Sequence, residues 1–275
     1  MTRLTLTLLS SLGLGSLTLA APFSPSAEGC TREALKAHTE TLLSAQTSGN
    51  PAALIALQTA DTTTPFIYTE DFKSKTLSSS ILTTAQKIDH NRSLLDTTQC
   101  ATYTEIISAT DPNTPRVIGT QMRFDSTASK LLKIETLVTQ PGDWLFNASA
   151  TLRYARQEET IWVPIPESER DSRAVIQAAG DAYLDLFNNK SVVVPWGTPC
   201  QRLEGGAYTG RGLPTDSCNV GVPSGVPITN RRYVIDEVLG SVDAFVQFAS
   251  VPDSHEFRVE KGKLRLVHTL TVMRK

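Results

Sequence analysis

Asn91-Arg-Ser-Leu-Leu-Asp96 and Asn230-Arg-Arg-Tyr-Val-Ile-Asp236 carry the same phrase, R-x-x-x-D after an asparagine, 140 residues apart. Each opens an apolar, strand-like run. The helix candidates upstream begin near Thr31 and Ser172, at nearly the same interval. Two landmarks with a common offset read as a duplicated α+β unit. On a strand, residues i and i+4 share one face. Arg92 would therefore pair with Asp96, and Arg232 with Asp236. Either each pair braces the same corner of its half, or Asp236 is an acid or base whose charge Arg232 holds.

Outward from these phrases the two halves follow one order. Thr31 is a helix N-cap candidate, and Ala34, Leu35, His38, Leu42 and Ala45 fall near one helical face. Asn50-Pro51 starts a second, short helix. Pro65 to Glu70 reads as a short strand, and Asp71 to Gln86 as loop. Strand candidates follow at Ser93 to Ser108, Arg116 to Asp125 and Leu131 to Gln140, with turn chemistry between them. Apolar residues alternate in the last two, predicting a sheet with one covered and one wetter face. In the second half, Val175, Ala178, Ala179, Ala182, Tyr183 and Leu186 recur at helical spacing. After Val192-Val-Val-Pro-Trp196 come a Gly-rich insertion and two long strands, Tyr233 to Ser250 and His255 to Met273. Residues 141–170 between the halves hold Trp144, Phe146, Tyr154 and Trp162, too aromatic for a flexible linker. They read as a packed connector, between a first half at 21–140 and a second at 171–275.

The compartment is legible at the start of the chain. Arg3, the diluted apolar stretch Leu4 to Leu19 and Thr18-Leu-Ala20 form a signal-peptide pattern, which assigns residues 1–20 to a cleaved leader and the remainder to the secretory route, secreted or lumenal. No later stretch is apolar for long enough to anchor the chain in a membrane. Sequons at Asn91, Asn147 and Asn189 agree with that route as N-glycosylation sites. Cys30, Cys100, Cys200 and Cys218 read as two disulfides. Three pairings are open, of which Cys30–Cys100 with Cys200–Cys218 suits halves that fold as units. With 26 basic and 28 acidic residues interspersed, nothing points to nucleic acid.

No G-x-S-x-G, H-E-x-x-H, P-loop or dinucleotide fingerprint is present. Gly205 to Gly212 lacks the Lys-Ser/Thr ending of a phosphate loop and reads as backbone turns. No Cys/His spacing suggests a metal. Trp196, Arg202, Glu204 and Tyr208 lie in the segment a Cys200–Cys218 bridge would clamp, a suitable place for a site. There Arg202 and Glu204 would act in catalysis and Trp196 and Tyr208 in substrate binding, or the charged pair would hold itself and Trp196 pack the loop. Tyr103 and Tyr233 are further substrate-binding candidates. His90, Arg123, His255 and His268 are weaker ones, since a lone histidine in an apolar strand is more often a satisfied core residue.

The stretches Ile88-Asp-His-Asn-Arg-Ser93, Trp162 to Arg173, Val194-Pro-Trp-Gly-Thr-Pro-Cys-Gln-Arg-Leu-Glu-Gly-Gly-Ala-Tyr208 and Asn230 to Glu237 carry a resemblance. The chain resembles fungal secreted proteins built from tandem SnoaL-like (NTF2-like) halves. Within them it is similar to the hetero-Diels–Alderases of tropolone sesquiterpenoid pathways. The resemblance implies two cones, each with helices on a curved antiparallel sheet, forming a pseudo-dimer. It also implies cofactor-free coupling of a tropolone o-quinone methide, from a hydroxymethyl tropolone, with a humulene-type sesquiterpene. Against this stand a non-catalytic binding protein or effector for a small hydrophobic ligand, and a single-substrate isomerase or dehydratase. NTF2-like sheets often pair, so a homodimer is a further expectation.

Overall fold

The computed structural model describes residues 29–111 and 114–273; the expected leader at 1–20 lies outside them. Helix α1 spans Arg32–Ser48 and α2 Ala52–Leu57. Strands β1 (Ile67–Glu70), β2 (Lys73–Ser74), β3 (His90–Asp96), β4 (Ala101–Ser108), β5 (Arg116–Phe124) and β6 (Leu131–Thr139) complete the first half. Helix α3 (Ala148–Glu158) follows. The second half has α4 (Arg173–Leu186), β7 (Trp196–Glu204), β8 (Ala207–Tyr208), β9 (Ile228–Asp236), β10 (Ser241–Phe248), β11 (Val251–Glu260) and β12 (Lys263–Thr271).

The two six-stranded mixed sheets share one topology, β2-β1-β6-β5-β4-β3 and β8-β7-β12-β11-β10-β9. In each, one parallel pairing (β1 with β6, β7 with β12) joins the edge pair to an antiparallel meander. The molecule is therefore α+β with two like units in tandem.

Local chemistry explains the elements. Thr31, Asn147 and Ser172 accept from the third residue's amide at the starts of α1, α3 and α4. Gly49 ends α1 at φ 65° with its N–H on Ala45 O. Each long helix lays an apolar stripe on its own sheet: Leu35, Leu42 and Ala45 on the first, Ile176, Ala179, Tyr183 and Leu184 on the second. At Gly180 a Cβ would come within 3.1 Å of the Phe257 ring, so its absence lets α4 close onto β11.

Three strand expectations are corrected. Ser93 to Ser108, Tyr233 to Ser250 and His255 to Met273 are each two strands joined by a reversal. Asp96 Oδ1 accepts the amides of Thr98 and Gln99, and Asp236 Oδ1 those of Val238 and Leu239. Each aspartate thus closes a tight turn between two strands. The third reversal falls at Lys261-Gly262, both at positive φ. The connector also contains helix α3, absent from the sequence reading.

The expected wetter sheet face is corrected too. All of β4 and most of β5 are buried on both faces. One face of each sheet takes its own helix and the other takes the opposite sheet. Between the sheets lie Leu94, Ala101, Tyr103 and Leu137 from one half, with Val234, Leu239, Phe245 and Val272 from the other. The disulfides are Cys30–Cys100 and Cys200–Cys218, one within each half.

Candidate functional site

Both members of the repeated phrase reach into the opposite half. Asp236 is fully buried, and Arg32 of α1 clasps it with two hydrogen bonds of 2.8 Å. Asp96, also fully buried, is clasped by Arg173 of α4 at 2.7 Å twice. The second oxygen of each also accepts an opposing strand amide: Leu95 N on Asp236, Ile235 N on Asp96. The expected partnership of Arg232 with Asp236 is therefore corrected. Arg232 Nε instead lies 2.9 Å from Glu135, with its guanidinium over the Phe72 ring at 4.5 Å. Arg92 likewise leaves Asp96 for Glu256 and Glu105.

Around Arg92 the interface holds a buried charge network. Its guanidinium donates to Glu256 (2.5 and 3.0 Å) and Glu105 (3.2 Å), lies 3.2 Å from His268 Nδ1 and sits 3.8 Å over Trp162. His268 Nε2 meets Glu158 of α3 at 2.5 Å. Burial opposes the charge on His268, but the Glu158 carboxylate and its hydrogen bond outweigh it and hold the imidazole above its ordinary value of 6.5. Burial likewise pushes Glu158 up, yet His268 and the hydrogen bonds from His268, Trp162 and Tyr208 bring it below the usual carboxylate range. Burial pushes Glu105 up. Glu105, Glu256 and His268 could converge on a metal, their ligand atoms lying within 4.8 Å. Arg92 already donates to both glutamates and lies against His268, so a fixed cation holds the place of an ion.

A second concentration of chemistry lies between α4 and the concave face of its sheet. A cavity of about 400 Å³ is walled by Tyr183 from α4, Phe187 at its C-cap, Phe248 from β10 and Trp144 from the connector. Polar groups enter from Arg202 and Glu204 on β7, Asp253 and His255 on β11, and Thr269 and Thr271 on β12, while Gly221 and Pro223 close one side. Thr271 Oγ1 donates to Asp253 Oδ1 at 2.7 Å, and His255 Nδ1 stands 3.0 Å from Asp253 Oδ2. The His255 ring is 5.5 Å from that of Tyr183 and 5.9 Å from Phe187. Tyr183 is fully buried and its hydroxyl has no hydrogen-bond partner. Burial, with the charge of Asp253 adding and that of Arg202 subtracting, pushes this phenol up to about 12. It is thus a neutral donor at neutral pH. Arg202 pairs with Glu204 and donates to the carbonyls of Val220 and Cys218, fixing the disulfide-clamped loop. Its Nε has no partner.

Among the sequence-derived candidates, the fold brings Arg202 and Glu204 to this cavity, together with His255. The others lie elsewhere. Trp196 packs edge-on to Tyr183 at 5.8 Å outside the lining. Tyr208 stacks on Tyr154 at 4.2 Å, Tyr233 donates to Asp181 at 2.5 Å, and Tyr103 is buried between the sheets against Phe245. Arg123 reaches Tyr233 O and Gln121. His90 stands 3.5 Å from Glu159. Asn91, Asn147 and Asn189 are exposed, as glycan acceptors must be. Sequence reasoning missed Tyr183, Phe187 and Asp253. The helical spacing of Tyr183 marks it in sequence as one more residue of an apolar stripe, and only its unpaired hydroxyl singles it out.

At the equivalent place the first half is packed with side chains. Strand pairing makes Tyr68 the counterpart of Arg202, Glu70 of Glu204, Ile118 of Asp253 and Thr120 of His255. Leu77 and Leu82, from the short 3-10 turns Leu77–Ser79 and Ile81–Thr83, join Leu42, Leu54 and Tyr68 in its core. Glu70 is occupied by Tyr68, Lys75 and the Ile81 amide.

Comparison with known proteins gives one match. Residues 169–271 fit a family described as a domain of unknown function, DUF8021, a stretch that holds the cavity's lining apart from Trp144. No curated protein and no solved structure matches the chain. The two disulfides are compatible with a secreted protein, and no helix among the described residues is long and apolar enough to cross a membrane.

Proposed function

We propose that the second half's cavity binds a small, largely apolar molecule through an oxygen-bearing group and acts on it by positioning and proton transfer. What supports this is the Tyr183 hydroxyl, buried without a partner beside Arg202, Asp253 and His255 in an aromatic-walled space. A ligand oxygen would satisfy a donor the protein leaves unmatched, which otherwise costs about 1–3 kcal/mol. The cavity is also of the size and lining that ligand sites have.

The resemblance refines the reading to two SnoaL/NTF2-like cones, of which the second is a cofactor-free hetero-Diels–Alderase. A hydroxymethyl tropolone would lose its side-chain hydroxyl as water, one proton arriving at the leaving oxygen and one departing from the ring hydroxyl. His255, set by Asp253 and Thr271, would move a proton, while Tyr183 donates to the tropolone oxygen. The resulting o-quinone methide and a humulene-type alkene would then form one C–C and one C–O bond. Holding both partners in near-attack geometry can be worth effective molarities of about 10⁵ to 10⁸ M.

The test is incubation with a hydroxymethyl tropolone and humulenol, scored by chiral chromatography. A stereoselective adduct that falls in Tyr183→Phe and His255→Gln supports the enzyme, and none above background removes it. A carrier remains the second reading, because Arg202 and Glu204 neutralise each other. Saturable binding without turnover would select it over both coupling and a single-substrate dehydratase or isomerase.

A further inference from the structure

The pseudo-twofold relation pairs each feature of one half with one of the other, and at one place the pairing fails. Strand registers make Arg92 equivalent to Arg232, Glu105 to Phe245, Gln121 to Glu256 and Glu135 to His268. Around Arg92 the seat is partly roofed, leaving a shallow depression of about 360 Å³ edged by His90, Asn91, Ala155, Glu159 and Trp162. Helix α3 and Trp162 lie over it, with Ala148, Leu152 and Ala155 packed on Ile107, Val117 and Leu270. The residues equivalent to Ile107 and Val117 are Gln247 and Pro252. Both line an open groove of about 710 Å³ between the halves, together with Arg232, Asn230, Glu135, Lys133, Lys73 and Phe72.

This groove is the uncovered twin of the seat that α3 roofs, and its chemistry is changed to match. Arg92 has two buried carboxylates, Glu105 and Glu256. Arg232 has Phe245 and Gln121 at those positions, and its carboxylate partner is Glu135, which it shares with Lys133. Exposed Lys73 adds another cation. Counting Asp71 and Glu135 against Arg232, Lys133 and Lys73, the lining keeps one surplus positive charge. Its rim is fixed by two tight hairpins: Asp71 (φ 52°) and Phe72 (62°) turn β1 into β2, and Ala249 (45°) and Ser250 (78°) turn β10 into β11, with the positive φ that two-residue turns require. Asn230 (53°) lies at the bulge in the β9–β10 pairing.

We propose that this groove is a second binding site, separate from the aromatic cavity, for a small aromatic carboxylate. The ring would lie on the Phe72–Arg232 shelf, and the carboxylate would take the role that Glu105 and Glu256 play for Arg92. Lys73 and Lys133 would complete the anion contacts.

Titration with phthalate, followed by ligand-observed NMR, tests it. Saturable binding to the wild-type protein should weaken by about fivefold or more in Lys73→Glu and in Lys133→Gln. Both side chains sit at the groove's wet edge, and thermal melts would check that each variant folds. Tyr183→Phe should leave phthalate binding unchanged. Absence of saturable binding, wild-type affinity in both lysine variants, or loss in Tyr183→Phe would each overturn the proposal; the last would place the anion in the aromatic cavity.

Discussion

Asp96 and Asp236 show what a single residue does in this protein. Each ends a strand, closes a turn with two amides, and holds the opposite half through an arginine fork. Removing one partner of a buried ion pair leaves an uncompensated group and costs about 3–5 kcal/mol. Asp96→Asn and Asp236→Asn should therefore each lower the urea midpoint markedly, and by similar amounts because their surroundings match. Arg32→Ala combined with Asp236→Asn should cost less than the sum, as expected for one shared interaction. Tyr183→Phe should behave in the opposite sense. Deleting a buried hydroxyl that has no partner should raise stability by about 1 kcal/mol while weakening ligand binding. A melt and a binding titration on the same sample would check both signs.

At the scale of elements, the Cys200–Cys218 bridge links β7 to the loop carrying Gly221 and Pro223 over the cavity. Closing 18 residues is worth about 3 kcal/mol by loop entropy, and the 70-residue Cys30–Cys100 loop about 4. Replacing Cys200 and Cys218 with serine should cost stability and loosen the loop that Arg202 holds. Ligand affinity should fall with it, whereas the Cys30–Cys100 variant should lose stability alone. Helices α1 and α4 were legible in the sequence, because capping residues and apolar periodicity are local properties. The hairpins within 93–108 and 233–250 were not. Their turns hang on a buried aspartate whose carboxylate takes the turn amides, and the left-handed residue that ends each is Cys100 in one and Gly240 in the other, so the two copies share no common turn signature. Helix α3 was hidden among aromatic residues whose contacts lie on both halves.

For the whole molecule, the network around Arg92 ties folding to pH. The His268 pKa is raised on folding, so its contribution is complete below the unfolded value and lost as pH climbs through the folded one. Glu158 is lowered, so its contribution is present above the unfolded value and lost as pH falls through the folded one. Glu105 and Asp243 are raised by burial, and they too cost stability as pH rises above their ordinary range. The His268 contribution should thus begin to fall as pH rises past about 6.5, its ordinary value. His268→Gln should flatten part of that decline, as denaturant midpoints across pH would show.

The repeated R-x-x-x-D phrase and the Cys30, Cys100, Cys200 and Cys218 pattern were enough to give an α+β duplication with two disulfides, since spacing along a chain survives folding unchanged; which of three pairings they take, one within each half, came from the structure. Arg202 and Glu204 were legible near a site for the same reason, through the loop that Cys218 clamps. Tertiary structure alone decided that Asp236 belongs to Arg32, that Tyr183 stands unpaired beside His255 and Asp253, and that the second half is hollow where the first is filled. Those outcomes depend on which side chains meet across the sheets, and residues such as Ile118 and Asp253 carry no mark in sequence that they occupy one position in two copies.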